Sequence, residues 1–176
     1  MKKLSAISLS LLIAASSAAF AQGEGSVVHF NGHVTEPTCA IIPDNQNITL
    51  DTVGASAFDG VAVGESIESG ARDFQIHVNC QAANLGNHVK LIMQASADTN
   101  QRQALKNLSS DSSGVGLEVF YNNEVLQPNS ELDGTKITNL NKGDDNIAMK
   151  VRYARLGEDV TGGDVSADVT FVTEYR

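Results

Sequence analysis

Side chains able to act as nucleophiles, metal ligands or general bases are scarce in this chain of 176 residues, which holds 4 His and 2 Cys beside 21 Asp and Glu. No G-x-S-x-G, G-x-x-x-x-G-K-[ST] or H-E-x-x-H motif and no EF-hand loop occurs. His29 and His33 lie closest in sequence, but four residues along an extended strand separate them by about 13 Å, too far to share an ion. His77 falls on the polar side of an alternating run, and His88 borders the Gly86-Asn87 loop. Asp144-Asp145 reads as a solvated turn, not a calcium site. Asn47-Ile48-Thr49 and Asn107-Leu108-Ser109 match the N-glycosylation pattern, which is uninformative if the source is bacterial. The expectation is no enzyme, no cofactor and no metal. A formal net charge of −9, from 12 Lys and Arg against 21 Asp and Glu, also disfavours a nucleic-acid partner.

The first residues set the compartment. Lys2 and Lys3 precede an apolar stretch from Leu4 to Phe20, and Ala19-Phe20-Ala21 supplies an A-x-A cleavage signature. This is the pattern of a secretory signal peptide over residues 1–21, with a mature chain starting at Gln22. Export favours a disulfide between Cys39 and Cys80, the sole pair available, over two buried free thiols.

Most of the remaining sequence alternates with period two. Phe74, Ile76, Val78 and Cys80 alternate with Asp73, Gln75, His77 and Asn79, the mark of a strand with one wet face. Val89–Ala95, Val115–Tyr121 and Ile147–Tyr153 repeat the pattern, with Asn122-Asn123 as a hairpin turn. Shorter strands are expected near Ile48–Val53 and Thr135–Leu140, and a turn or two of helix near Gln101–Leu108. Many short strands punctuated by Gly and Asp turns, without repeats or a dividing linker, indicate one β-sandwich domain.

The two ends carry the most information. Val165, Ala167, Val169, Phe171, Thr173 and Tyr175 share one parity, and the chain stops at Arg176 with no residues left for a strand beside them. At the front, Val28, Phe30, Gly32 and Val34 share one parity behind the small, polar run Gln22–Ser26. Such an apolar-faced strand either completes its own sheet or adds to the sheet of another molecule.

With these features the sequence resembles the pilin subunits of bacterial chaperone–usher fimbriae, close to type 1 major pilins. The matching features are the signal peptide, the Phe30-Asn31-Gly32-His33-Val34 segment, the Cys39 and Cys80 pair and Ile147–Tyr153. They also include Gly163, the residue fourteenth from the end, and the penultimate Tyr175. The resemblance implies an all-β, incomplete immunoglobulin-like sandwich lacking its last strand, completed by a donor strand from a neighbouring subunit. It divides the chain into a signal peptide (1–21), a donor extension (22–36) and a pilin domain (37–176). Val28, Phe30, Gly32 and Val34 would be donated. Gly163, Val165, Val169, Phe171, Tyr175 and Arg176 would form the groove wall and the chaperone-contacting terminal strand. Implied partners are identical or related pilins in a heterologous filament, a periplasmic chaperone and an outer-membrane usher, with the product on the cell surface supporting adhesion. Alternatives are a minor adaptor pilin at the fimbrial tip, or a self-complete secreted immunoglobulin-like binding domain.

Overall fold

Alternating apolar residues yield strands here because each run finds a partner of matching register. The computed structural model describes residues 31–33, 38–42, 46–82, 89–112, 114–133, 137 and 143–175. The chain divides into two units, Met1–Val34 and Thr35–Arg176. Of the first, only Asn31, Gly32 and His33 are described, and all three are exposed.

Among the described residues the second unit contains eight strands: β1 (Cys39–Ile41), β2 (Ser66–Cys80), β3 (Val89–Ala95), β4 (Val115–Tyr121), β5 (Glu124–Leu126), β6 (Glu131–Asp133), β7 (Gly143–Arg155) and β8 (Val169–Tyr175). They form a five-stranded sheet in the order β1-β2-β7-β4-β5 and a three-stranded sheet in the order β6-β3-β8. Ile76, Val78, Leu91, Met93, Leu117, Val119, Ile147, Met149 and Val151 project inward from both sheets and make one core. The architecture is an immunoglobulin-like sandwich, all-β as its alternation requires. The expected hairpin forms with Asn122 and Asn123 both at positive φ (50° and 64°), the geometry a two-residue turn with right-handed strand twist demands.

Several elements depart from the sequence reading. β2 begins at Ser66, well before the alternation at Phe74, because a bulge between Ile67 and Arg72 resets its register against β7. Gly70 permits that bulge: φ is +80°, and a Cβ there would lie 2.8 Å from the Asp51 carbonyl. Residues 48–53 run beside β2 but form no ladder. Their links are Asp51 N–H to the Gly70 carbonyl (3.3 Å) and Arg72 Nε to the Thr49 carbonyl (3.2 Å), with an Arg72–Asp51 ion pair. No α-helix forms over 101–108; Leu105 instead bridges Ala97 and Leu117. A short 3-10 turn, Ala55–Phe58, buries Phe58. The Thr135–Leu140 expectation falls outside the described residues except for buried Ile137.

Two features dominate the energetics. Cys39 and Cys80 are joined by a disulfide, with both residues 1% exposed. The bond ties β1 to the end of β2. The second feature is β4, buried on both faces. Its outward face carries Glu118, 1% exposed, with Oε1 unpartnered. Burial pushes this carboxyl above the ordinary range, opposed by hydrogen bonds to Gln103 and Ser66 and by the Arg152 charge. Arg152 directs its guanidinium elsewhere, over the Phe120 ring at 4.3 Å and onto Glu68 at 2.5 Å.

Two outcomes follow. Replacing both Cys39 and Cys80 with Ser, a loop with a sequence separation of 41, lowers stability by about 4 kcal/mol in the loop-entropy model, read from the urea midpoint. Because the folded Glu118 carboxyl holds its proton to higher pH than the unfolded one, its contribution is full below the unfolded value near 4.5 and is lost as pH rises through the folded value. Glu118→Gln therefore flattens the decline in stability between pH 4.5 and 7 and is the more stable form at pH 7; an unchanged pH profile rejects this role.

Candidate functional site

Along one side the sandwich stays open. β8 is the outermost strand of its sheet, and among the described residues no strand flanks its far edge. The direction of that edge follows from β3. Asn129 takes both the N–H and the C=O of Ala95 with its carboxamide, and its own N–H binds the Met93 carbonyl (2.7 Å), so odd-numbered main-chain groups of β3 face the β6 side. Ile92 and Gln94 then face Val172 and Thr170 of β8. Main-chain groups of Val169 and Phe171 consequently point the other way, along the free edge. Residues before β8 continue this parity. Ser166 bonds outward, its N–H to Asn107 Oδ1 (3.0 Å) and its carbonyl to the Leu108 N–H (2.8 Å), which leaves Val165 and Ala167 on the open side.

The run 46–53 faces that edge across a groove of about 830 Å³. Asp51 N–H and the Thr49 carbonyl face β2, so main-chain groups of Leu50 and its even-numbered neighbours point into the groove. Its floor is apolar: Phe74, Ile76, Leu117, Val119 and Val151. Phe74 and Phe171 meet across it with ring centroids 6.2 Å apart. An apolar trough with hydrogen-bonding edges on both flanks suits one extended strand with alternating apolar side chains.

Among the residues singled out from sequence, Gly163, Val165, Val169 and Phe171 line this groove. Gly163 has φ +147°, and a Cβ on it would lie 2.2 Å from the Asp111 carbonyl, so the wall passes this loop only with glycine. Tyr175 lies off the groove, 47% exposed, its hydroxyl donating to the Cys39 carbonyl. Val28, Phe30, Val34 and Arg176 lie outside the described residues; Gly32 is exposed. Ile48, Leu50 and Val53 on the opposite wall were not recognised as site residues, although a short strand was expected there; nothing local marks them as a groove edge. His77 hydrogen-bonds Asn146 at 2.5 Å, and among the described residues no three His, Cys, Asp or Glu gather to hold a metal.

Comparison with known proteins agrees with this geometry. Residues 28–176 match the model of the family described as Fimbrial protein. The chain is 27% identical over an alignment of 172 residues to an uncharacterized fimbrial-like protein, SfmA, of Escherichia coli (strain K12), covering 94% of this chain and 93% of that one. It is 27% identical over 189 aligned positions to the type-1 fimbrial protein subunit of Serratia marcescens, covering 100% of both. Among solved structures it is similar to the P pilus rod subunit PapA, with a TM-score of 0.60 at 18% identity over 78% of this chain and 99% of that chain. A chaperone–usher pilus structure gives the same TM-score at 22% identity over 88% and 97%. With an apolar groove that no described strand fills and a family match spanning the whole sandwich, the chain belongs to the fimbrial protein family, whose members are structural subunits and not enzymes.

Proposed function

We propose that this subunit polymerises by strand donation: the extension 22–36 of one copy fills the groove of the next, whose own extension passes on in turn. The observation that carries the reading is the two-edged groove between residues 46–53 and 160–171. An incoming strand with Val28, Phe30 and Val34 on one face meets an apolar floor, flanked by main-chain groups of Leu50, Val165, Ala167, Val169 and Phe171 that point toward it. Burial of those three side chains contributes roughly 5–9 kcal/mol as an upper figure. Since a domain is stable by only about 5–15 kcal/mol, occupancy of the groove governs whether the subunit stays folded. Gly32, set between Phe30 and Val34, suits close approach of another backbone. Groove and extension are different surfaces, so the contact is heterologous and grows as an open filament.

The same edge needs cover before assembly. β8, with Val169 and Phe171 on the groove and Tyr175 and Arg176 at its end, is offered first to a periplasmic chaperone and then, at an outer-membrane usher, to the next subunit. The signal-like segment 1–21 supports export, and likeness to a chaperone–usher pilus supports the route. The filament on the cell surface then serves adhesion.

The test is a chain lacking residues 22–35. It is expected to remain monomeric and to be markedly stabilised, by up to about 5–9 kcal/mol read from its denaturation midpoint, with a peptide carrying those residues. A truncated chain already stable and indifferent to the peptide contradicts the reading. In the intact chain, Phe30→Asp places a charge where an apolar side chain inserts, and should cut fibre yield below about a tenth while leaving chaperone binding intact. Normal yield removes Phe30 from its assigned role.

A further inference from the structure

The groove wall has an unusual weakness. Residues 164–168 form no ladder with any strand among the described residues, because β3 ends at Ala95 opposite Val169. Gly162 and Gly163 precede this stretch, and neither restricts the backbone as a β-branched residue would. Yet Val165 and Ala167 are partly buried against the core, so something holds the segment extended.

Asn107 supplies that hold. Its half-buried carboxamide is used at both ends. Oδ1 accepts from the N–H groups of Ser166 and Ser109, each at 3.0 Å. Nδ2 donates to Ser112 Oγ (2.9 Å) and to the Asp164 carbonyl (3.5 Å). Ser112 Oγ adds a bond to the same Asp164 carbonyl at 2.8 Å, and the Leu108 N–H reaches the Ser166 carbonyl at 2.8 Å. One side chain and its neighbour thus substitute for the missing stretch of ladder. By engaging the Ser166 main chain on the outer side, they turn the N–H and C=O groups of Val165 and Ala167 toward the open groove.

We infer that Asn107 is a positioning residue for strand uptake, a latch that keeps the wall 163–167 extended with its free edge presented to the incoming strand. This rests on the strand-acceptor reading of the groove. A latched wall is ordered before the strand arrives; an unlatched one must be ordered by it, and uptake falls with the fraction of chains in the competent arrangement. The same bonds give Asn107-Leu108-Ser109 a structural role, since neither end of the Asn107 amide is left unengaged.

The test uses the full chain and a labelled peptide of residues 22–36, with uptake followed by anisotropy and exchange of the Ser166 amide followed by NMR or mass spectrometry. Asn107→Ala is expected to slow uptake about tenfold or more and to speed Ser166 exchange, with the thermal midpoint of the peptide-filled form little changed. Asn107→Asp keeps the Oδ1 acceptors and loses the Nδ2 donors, and Ser112→Ala removes one arm; both should fall between wild type and Asn107→Ala, and they keep the test sound if Asn107→Ala fails to fold. Uptake at the wild-type rate in all three variants overturns the latch while leaving the groove reading intact. Equal loss of stability in filled and empty forms at unchanged uptake also overturns it, since that marks a purely structural residue. No uptake by the wild-type chain contradicts the groove reading itself, and the latch with it.

Discussion

A backbone N–H or C=O removed from water without a partner costs as much as a lost hydrogen bond, and a sheet edge presents such groups in a row. In this protein the row along Val165, Ala167, Val169 and Phe171 borders an apolar floor, so the edge cannot be both dry and satisfied by the described chain alone. The opposing run at 46–53 has the same problem from the other side. These two half-satisfied edges, held apart over Phe74, Ile76, Leu117, Val119 and Val151, are the constraint from which the other features gain their purpose.

The rest of the sandwich keeps the edges in place while they wait. Leu105 joins the run beyond β3 to β4 through main-chain bridges to Ala97 and Leu117. At one end of the open side the disulfide fixes β1, and the Tyr175 hydroxyl ties β8 to the Cys39 carbonyl. Near the other end Arg155 spends its guanidinium on the carbonyls of Val61 (2.7 Å), Phe58 (3.4 Å) and Glu158 (2.5 Å), gathering the loops that carry Phe58 and Val160 onto the groove. Asn107 then secures the stretch between. The proposed heterologous assembly rests on this division: a sandwich with an open slot among the described residues, and an apolar-faced sequence at 28–34.

Features that depend on local period were legible in the sequence. The alternation of Val169 to Tyr175 marked β8, and the Asn122-Asn123 hairpin, β4 and the regular part of β7 followed from period and turn chemistry. Features created by tertiary contact were not. Nothing local marks 46–53 as a groove edge, since it lies on β2 through hydrogen bonds to the Gly70, Gln75 and Thr49 carbonyls and an ion pair and not through a ladder. Ser66–Arg72 reads poorly because the Gly70 bulge breaks its period. Glu118 reads as a solvent-facing residue of an alternating strand, and its burial depends on Gln103 and Ser66 from distant segments. Asn107 matched only an acceptor pattern for glycosylation; its hold on Asp164 and Ser166 spans more than fifty residues of chain and has no local sign.

Main-chain parity allows the central claim to be measured directly. In hydrogen exchange on the single subunit and on the assembled fibre, the amides of Ala167, Val169 and Phe171 should pass from fast to strongly protected on assembly, while those of Thr170 and Val172, already bonded to β3, are protected in both states. Ala167, Val169 and Phe171 amides equally exposed in the fibre, or already protected in the isolated subunit, would contradict the account.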